Sequence, residues 1–359
     1  MFKLHAIQAA YGDCLLLEYG TVPRRFILID GGPPDTFRLH LSPVLEEISR
    51  SGSLLDLVIL SHVDNDHITG LLDYFAELRA TPDKFPVPNG LWHNSFTAAI
   101  DPNGVIQPRL SSLITQNRAG VMSESGLAVM GIQEGANLRT HSLALGVPIN
   151  DRFPNGLLTV DNAIRPLVFD NLEITIIGPT KANLEELEQE WIAWLDTHEN
   201  SILSDEPFVM TNSDKSRPNL SSIMFLAKAD NRTMLLTGDG RSDHLLDGLG
   251  QAGLLDPNGR LHVDVLKLPH HGSSRNITKT FFRKVTANTY IASANGRDGN
   301  PDLATLIWLV ETAKEEQRQV EIVVTNQTPS VDKLQSEYQM NQFGYSVRTL
   351  TSGQHSIIV

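Results

Sequence analysis

The sequence predicts an α/β fold in which two sheets pack face to face and helices cover their outer surfaces. Strand-like apolar runs come in two sets, one before residue 62 and one after residue 221, and helical patterns lie between them. Many of these runs are apolar throughout, as strands buried on both faces must be. A chain of 359 residues with 41% hydrophobic content also has the apolar surface for one large core. A layered arrangement with helices outside both sheets would bury these runs.

In the first set, strands read at 2–7, 13–19, 25–30 and 57–61, with a helical pattern at 40–50 before the last of them. An amphipathic helix runs from Ile68 to Leu78. Strands follow at 89–93 and 172–177, and the acidic helix from Leu184 to Thr197 reads as an exposed insertion. The second set has strands at 222–229, 233–237, 262–268, 289–293, 320–325 and 354–359, with helices at 241–249, 277–284 and 302–316. Residues 95–165 carry Gly, Pro, Asn and Ser at many points and only short apolar segments such as Leu127-Ala128-Val129-Met130. They are expected to cap the mouth of a site. The expected organisation is one elaborated domain, 1–359, with 95–165 as a cap insertion.

Composition narrows the function. A net charge of -13 gives no general attraction to a nucleic-acid backbone, so a polynucleotide would need a local basic patch such as Lys215, Arg217, Arg275 and Arg297. A single cysteine, Cys14, excludes an intramolecular disulfide framework, and its apolar neighbours make it a packing residue. No apolar stretch approaches the roughly 20 residues that cross a bilayer, and the start lacks a signal-peptide core. The expectation is a soluble, cytoplasmic protein with no membrane partner.

Residues 61–70 carry the chemistry. Ser-His-Val-Asp-Asn-Asp-His-Ile-Thr-Gly places His62, Asp64, Asp66 and His67 directly after the apolar run Leu57-Val58-Ile59-Leu60. Imidazole and carboxylate are the usual ligands of zinc and manganese, and carboxylates this dense repel one another unless a cation joins them. The competing reading is a polar loop at a strand end. The helix that follows would hold His67 rigidly, which favours the metal.

This segment resembles the His-x-His-x-Asp-His signature of the metallo-β-lactamase superfamily, with Asp64 in place of the second histidine. The aspartate version resembles the hydrolase domain of the DNA-uptake channel ComEC and its soluble relatives. Three further stretches fit that branch: Gly12 to Glu18 with Phe26 to Gly31, then Met234 to Gly240, then Leu266 to Arg275. The resemblance implies a four-layer αββα sandwich and a metal-dependent hydrolase holding two divalent metal ions, manganese or zinc. By the family pattern His62 and Asp64 serve one ion, Asp66 and His67 the other, and Asp239 bridges both. His271 is favoured over His270 as the last ligand, because His-Gly-Ser-Ser-Arg resembles the ending seen in tRNA-processing members. For the family's middle histidine the candidate is His93, with His141 weaker; against both stands the reading of a packed, hydrogen-bonded histidine.

Asp64 adds an anionic oxygen, which moves the expected ion from zinc toward manganese. Off the metal it would instead serve as a general base beside a single firmly held ion. Asp66 and Asp64 are the candidates to take the proton of an activated water, and Asp30 would orient the cluster. Lys267 either faces these carboxylates as a catalytic residue or lies at a sheet edge facing water. Asn219, Ser221 and Ser222 are candidates to meet a substrate oxygen, and Ser273 and Arg275 a phosphate. Asn300 stands where related sequences have a His-Pro pair.

The implied reaction is hydrolysis by a metal-activated hydroxide, with a phosphodiester in nucleic acid or a nucleotide as the favoured substrate. A small-molecule ester, thioester or lactone is the alternative, favoured if residues 95–165 close a narrow pocket. A non-catalytic sensor or binding module would require a broken site.

Overall fold

The computed structural model describes residues 2–116, 124–163, 166–201, 221–350 and 356–358. The strands are β1 (Lys3–Ala6), β2 (Leu15–Tyr19), β3 (Arg25–Ile29), β4 (Leu54–Ile59), β5 (Leu91–Trp92), β6 (Leu167–Phe169), β7 (Leu172–Gly178), β8 (Met224–Ala229), β9 (Arg232–Leu236), β10 (Leu261–Lys267), β11 (Val285–Ala292), β12 (Val320–Val324), β13 (Tyr345–Thr349) and β14 (Ser356–Ile358). The helices are α1 (Ser42–Arg50), α2 (Asn65–Ala80), α3 (Phe96–Ala99), α4 (Ile106–Gln116), α5 (Glu124–Ala144), α6 (Lys181–Ser201), α7 (Ser242–Gln251), α8 (Lys279–Lys284), α9 (Leu303–Glu315), α10 (Pro329–Glu337) and α11 (Met340–Phe343).

Among the described residues a six-stranded sheet runs β14-β1-β2-β3-β4-β5, and an eight-stranded sheet runs β13-β12-β11-β10-β9-β8-β7-β6. The strands bearing the site are parallel: β3, β4 and β5 in the first sheet, β9 through β13 in the second. Alternation along each strand fixes the layers. Ile27, Ile29, Leu57 and Ile59 point inward against Phe225, Met234, Leu236 and Val265 of the second sheet. The intervening Leu28 and Val58 point outward onto α1 and α2 through Leu45, Tyr74 and Phe75. On the other side Leu266, Tyr290 and Ile322 meet Leu245, Phe281 and Leu309 of α7, α8 and α9. Helix, sheet, sheet, helix is the α/β sandwich the sequence predicts, and each large apolar side chain it buries is worth about 1.5–3 kcal/mol.

Helix α2 sits unusually close to the loop after β3, and glycines permit it. A Cβ on Gly31 would lie 2.2 Å from the Leu71 nitrogen, and one on Gly70 2.0 Å from the Gly31 carbonyl oxygen. The helix buries His67, Ile68, Leu71, Tyr74, Phe75 and Leu78 on one face, which is the stripe expected of an amphipathic helix.

Residues 95–165, expected as a cap insertion, contribute α3, α4 and α5. The buried stripe of α5 is Gly131, Gly135, Leu138 and Ser142, so small residues occupy the positions where an apolar periodicity would be sought. The acidic helix α6 is no exposed insertion: Leu184, Leu187, Trp191 and Leu195 form a buried stripe against Phe96, Ile106 and Leu110. Its acidic residues occupy the other face and mask the pattern. Strands β6 and β13 and helix α10 were not legible in the sequence pattern. No helix among the described residues is long and apolar enough to cross a membrane.

Candidate metal site

The parallel strands end on one rim, where the chain turns away from hydrogen-bonded sheet and side chains are free to converge. Ser61 and His62 follow β4, and Asp64, with extended backbone, begins α2, whose first turn supplies Asp66 and His67. Asp239 follows β9, Lys267 ends β10, and the turn Pro269–Gly272 presents His270 and His271. Asp13 precedes β2. The two sheets are joined at this rim, where the Ser293 hydroxyl donates to the Gly12 carbonyl at 2.7 Å and the Ile223 amide to the Ser61 carbonyl at 2.9 Å.

Asp239 is the centre of the cluster. Its Oδ2 lies 3.5 Å from His67 Nε2, 3.4 Å from His271 Nε2, 3.9 Å from His62 Nε2 and 3.7 Å from His270 Nε2. Asp66 Oδ2 completes one side at 3.7 Å from His67 Nε2 and 3.3 Å from His271 Nε2. Asp64 Oδ2 completes the other, 3.5 Å from His62 Nε2. Atoms that ligate one tetrahedral ion at about 2.0–2.2 Å stand about 3.3–3.6 Å apart, and the contacts of 3.3–3.5 Å among Asp239, His67, His271, Asp66, His62 and Asp64 match that spacing. The Nε2 atoms of His62, His67 and His271, with Oδ1 of Asp13 and Asp239, are buried and have no hydrogen-bond partner among the described residues. Buried polar atoms left so are costly, and several around one point fit a cation. Asp13, His67, Asp239 and His271 each offer an atom within 4.8 Å of the others, a candidate metal-binding group.

Residues 9–105 match the family model of the metallo-beta-lactamase superfamily. That metallo-beta-lactamase segment holds Asp13, Asp30, His62, Asp64, Asp66 and His67; Asp239, Lys267, His270 and His271 come from beyond it, brought in by the second sheet. Among solved structures, Zn(2+)-bound PqqB from Methylobacterium extorquens is similar over 99% of this chain and 100% of its own, at 11% identity and a TM-score of 0.36. No curated protein matches the chain.

An outer ring of hydrogen bonds anchors and aims the histidines of the cluster. Asp30 Oδ2 lies 2.9 Å from His67 Nδ1 and accepts from the Ser61 hydroxyl at 2.7 Å, while its Oδ1 accepts from the Ser61 amide. The Ser61 hydroxyl oxygen lies 3.0 Å from His62 Nδ1. His271 Nδ1 meets the Ser293 carbonyl at 2.8 Å, and His270 Nδ1 meets Asn276 Oδ1 at 2.8 Å. In each case Nε2 is the nitrogen turned toward the cluster, as in sites where the second ring nitrogen is anchored. The paired histidines both reach Asp239 because both take left-handed backbone, φ 46° at His270 and 55° at His271.

Lys267 is 1% exposed; its Nζ is in close ion-pair contact with Asp13, donates to the Gly238 carbonyl at 3.0 Å and stands 3.5 Å from Asp239 Oδ1. The edge-strand reading of this lysine is overturned, since β10 is flanked on both sides by β9 and β11. Burial would push the Asp66 carboxyl up, but the charges of His67 and His271 bring it down to about 2. Burial disfavours protonation of His67, yet Asp239, Asp66 and Asp30 together hold its pKa well above the ordinary value. Without a metal, therefore, ionised Asp66 and Asp239 face protonated His67 and His271.

Other expected residues lie elsewhere. His93 makes no ion pair among the described residues; it is buried beneath the cap, its amide donating to Asn150 Oδ1 at 3.0 Å, and it shares a cavity with His62 and Ser221. His141 is on α5, 3.1 Å from Arg79 Nη1. Ser273 is buried in the histidine turn, where its amide donates to the His270 carbonyl and its hydroxyl accepts from the Arg275 amide; Arg275 itself is exposed. Asn300 is half-buried beside Pro301, which packs on Gly272. Asn219, Lys215 and Arg217 lie outside the described residues. The sequence reading missed Asp13, because an aspartate next to a glycine reads as a turn, and Glu134 of α5, whose half-buried carboxyl is raised by burial and by the charge of Asp64.

Burial, with the charge of Arg139, pushes the His93 pKa down from 6.5 to about 3. A depressed histidine contributes stability that is complete above its unfolded value and is lost as pH falls from about 6.5 toward 3. Replacing His93 with Gln should flatten the pH dependence of urea-unfolding free energy over that window, by on the order of a few kcal/mol, and leave metal content unchanged. An unaltered slope would count against burial as the dominant influence.

Proposed function

We propose that this chain is a metal-dependent hydrolase of phosphodiesters, with nucleic acid or a nucleotide as substrate, of the kind its resemblance to soluble ComEC relatives implies. The supporting observation is the double ligand set around Asp239 Oδ2. His67, His271 and Asp66 would hold one ion, His62, Asp64 and His270 the other, with Asp239 shared. His270 then stands in for the family's middle histidine, and His93 is left to packing. Three carboxylates among the ligands give an oxygen-rich site suited to manganese as well as zinc.

Two such ions, when bound, lower the pKa of water and neutralise charge on phosphoryl oxygens. The chain's own residues supply the rest. Asp66 and Asp64 are the partly exposed carboxylates of the cluster, with side chains 24% and 31% exposed, and so are the ones a reacting water reaches; the oxygen of Asp66 or Asp64 that is not given to an ion would take its proton. Water adds to phosphorus, the bond to the leaving oxygen breaks, and that oxygen leaves with a proton from solvent. Lys267, buried behind Asp13 and Asp239, offsets their charge and is a positioning residue, since it does not face the opening. The reading of an ester, thioester or lactone as substrate is favoured by the cavity between His62, the cap residues Phe96 and Ile132, and Trp191 of α6.

The test is metal-dependent cleavage by chelator-stripped protein given manganese, zinc or magnesium, using single-stranded and duplex DNA, RNA and bis(p-nitrophenyl) phosphate. An Asp66→Ala, His67→Ala double variant is the control. Cleavage by the wild type alone, strongest with manganese, is expected. Hydrolysis of carboxylic esters without phosphodiesters would move the substrate to the second reading, and inertness with metal bound would overturn the enzyme.

A further inference from the structure

A cleft of about 330 Å³ lies between α3, α4 and α5 and is lined by Ser95, Thr97, Gln107, Arg139, Thr140 and apolar neighbours. It shares Val63, His93, Phe96 and Ile132 with the small cavity that reaches Ser61 and His62, so the cleft lies next to the ligand cluster. Two features set the cleft apart from the surface around it. No carboxylate lines it among the described residues, in a chain whose net charge is -13. And Arg139, half-buried on its wall, makes no ion pair among the described residues; its guanidinium is held only by Nη1 donating to the His93 carbonyl at 3.4 Å. Burial lowers the Arg139 pKa from 12.5, and no acid acts on it to raise it. A guanidinium that has lost part of its hydration without gaining a carboxylate is costly, and an anion with two oxygens is the ligand that compensates it, through its planar fork.

The geometry points to Arg139 as the receptor for an oxyanionic head group, carboxylate or phosphoryl, on a small substrate whose apolar body lies along Phe96 and Ile132. Ser95, Thr97 and Gln107 offer hydroxyl and amide groups on the same wall, while His93, kept neutral by burial, adds no competing charge. This deepens the hydrolase reading, on which it rests only for the identity of the bond broken near His62. It also reconciles an acidic chain with an anionic substrate: recognition is by one sheltered cation and not by surface charge.

The test is calorimetric titration of the full-length, metal-loaded chain with benzoate, phenylphosphonate and, as neutral control, benzyl alcohol. Arg139→Gln should weaken both acids at least about tenfold while leaving benzyl alcohol, metal content and melting temperature unchanged, and Arg139→Lys should restore part of the loss. Loss for only one acid identifies which head group the cleft takes. Equal binding of the acids by wild type and Arg139→Gln, or no binding of either acid by the wild type, overturns the inference. A chain that holds no metal yet binds an acid through Arg139 would retain it and overturn the hydrolase reading instead.

Discussion

Replacing Asp239 with Ala should empty the site of both ions and lower metal-dependent hydrolysis by about 10³-fold or more, a loss of about 4 kcal/mol in transition-state stabilisation. The expectation follows from position. One oxygen, Asp239 Oδ2, stands within 3.4–3.9 Å of four imidazole nitrogens, so both proposed ligand sets lose a member at once. Elemental analysis after dialysis reads the metal, and hydrolysis reads the consequence. His270→Ala should remove one ion and spare the other, whereas His93→Ala should remove neither. Full metal content in Asp239→Ala would sink the shared-carboxylate arrangement. The same cluster sets a pH dependence. Burial works against protonated His67 and His271, but Asp239 and their other acidic neighbours raise both pKa values well above the ordinary imidazole range. Metal uptake must displace those protons, so it should tighten as pH rises.

Much of this centre was legible because its ligands sit in dense local motifs. His62, Asp64, Asp66 and His67 are near neighbours in sequence, and any chain that turns from strand to helix there brings them together. Asp239 and His271 were legible by resemblance to motifs that follow strands. What stayed hidden depended on backbone or on distant packing. The joint use of His270 and His271 requires left-handed φ at two successive non-glycine residues, which residue types do not announce. Asp13 gains its place only because Gly12 lets the loop press on α2, where a Cβ would stand 2.0 Å from the Asp66 carbonyl oxygen. The cap was illegible for a related reason: α5 approaches Val63 and His93 through Gly131 and Gly135, and a helix packed through glycines has no apolar stripe to read. The four-layer fold was clearer, since buried strands write apolar runs such as Phe26–Ile29 and Leu57–Ile59 into the sequence.

Lys267→Met should cost about 3–5 kcal/mol of stability in the metal-stripped protein, because it leaves buried carboxylates without their cation. Lys267 and Asp13 are each 1% exposed and Asp239 is 2% exposed, so water cannot replace the lost charge. Asp13→Asn alone should also destabilise, by leaving the ammonium with Asp239 as its remaining acid. The double variant should be less damaging than the two losses added, with a coupling of about 0.5–3 kcal/mol, read from urea unfolding. Additive losses would show that the pair is not an energetic unit. The acid limb gives an independent reading. Burial raises the Asp13 carboxyl, but Lys267, with His271 and His67, more than reverses this and holds it well below its ordinary 3.8. A depressed carboxylate stabilises above its unfolded value and loses that contribution as pH falls through the folded one. Without Lys267 the desolvation is less opposed, the folded value climbs, and acid unfolding of Lys267→Met should begin at higher pH than in the wild type.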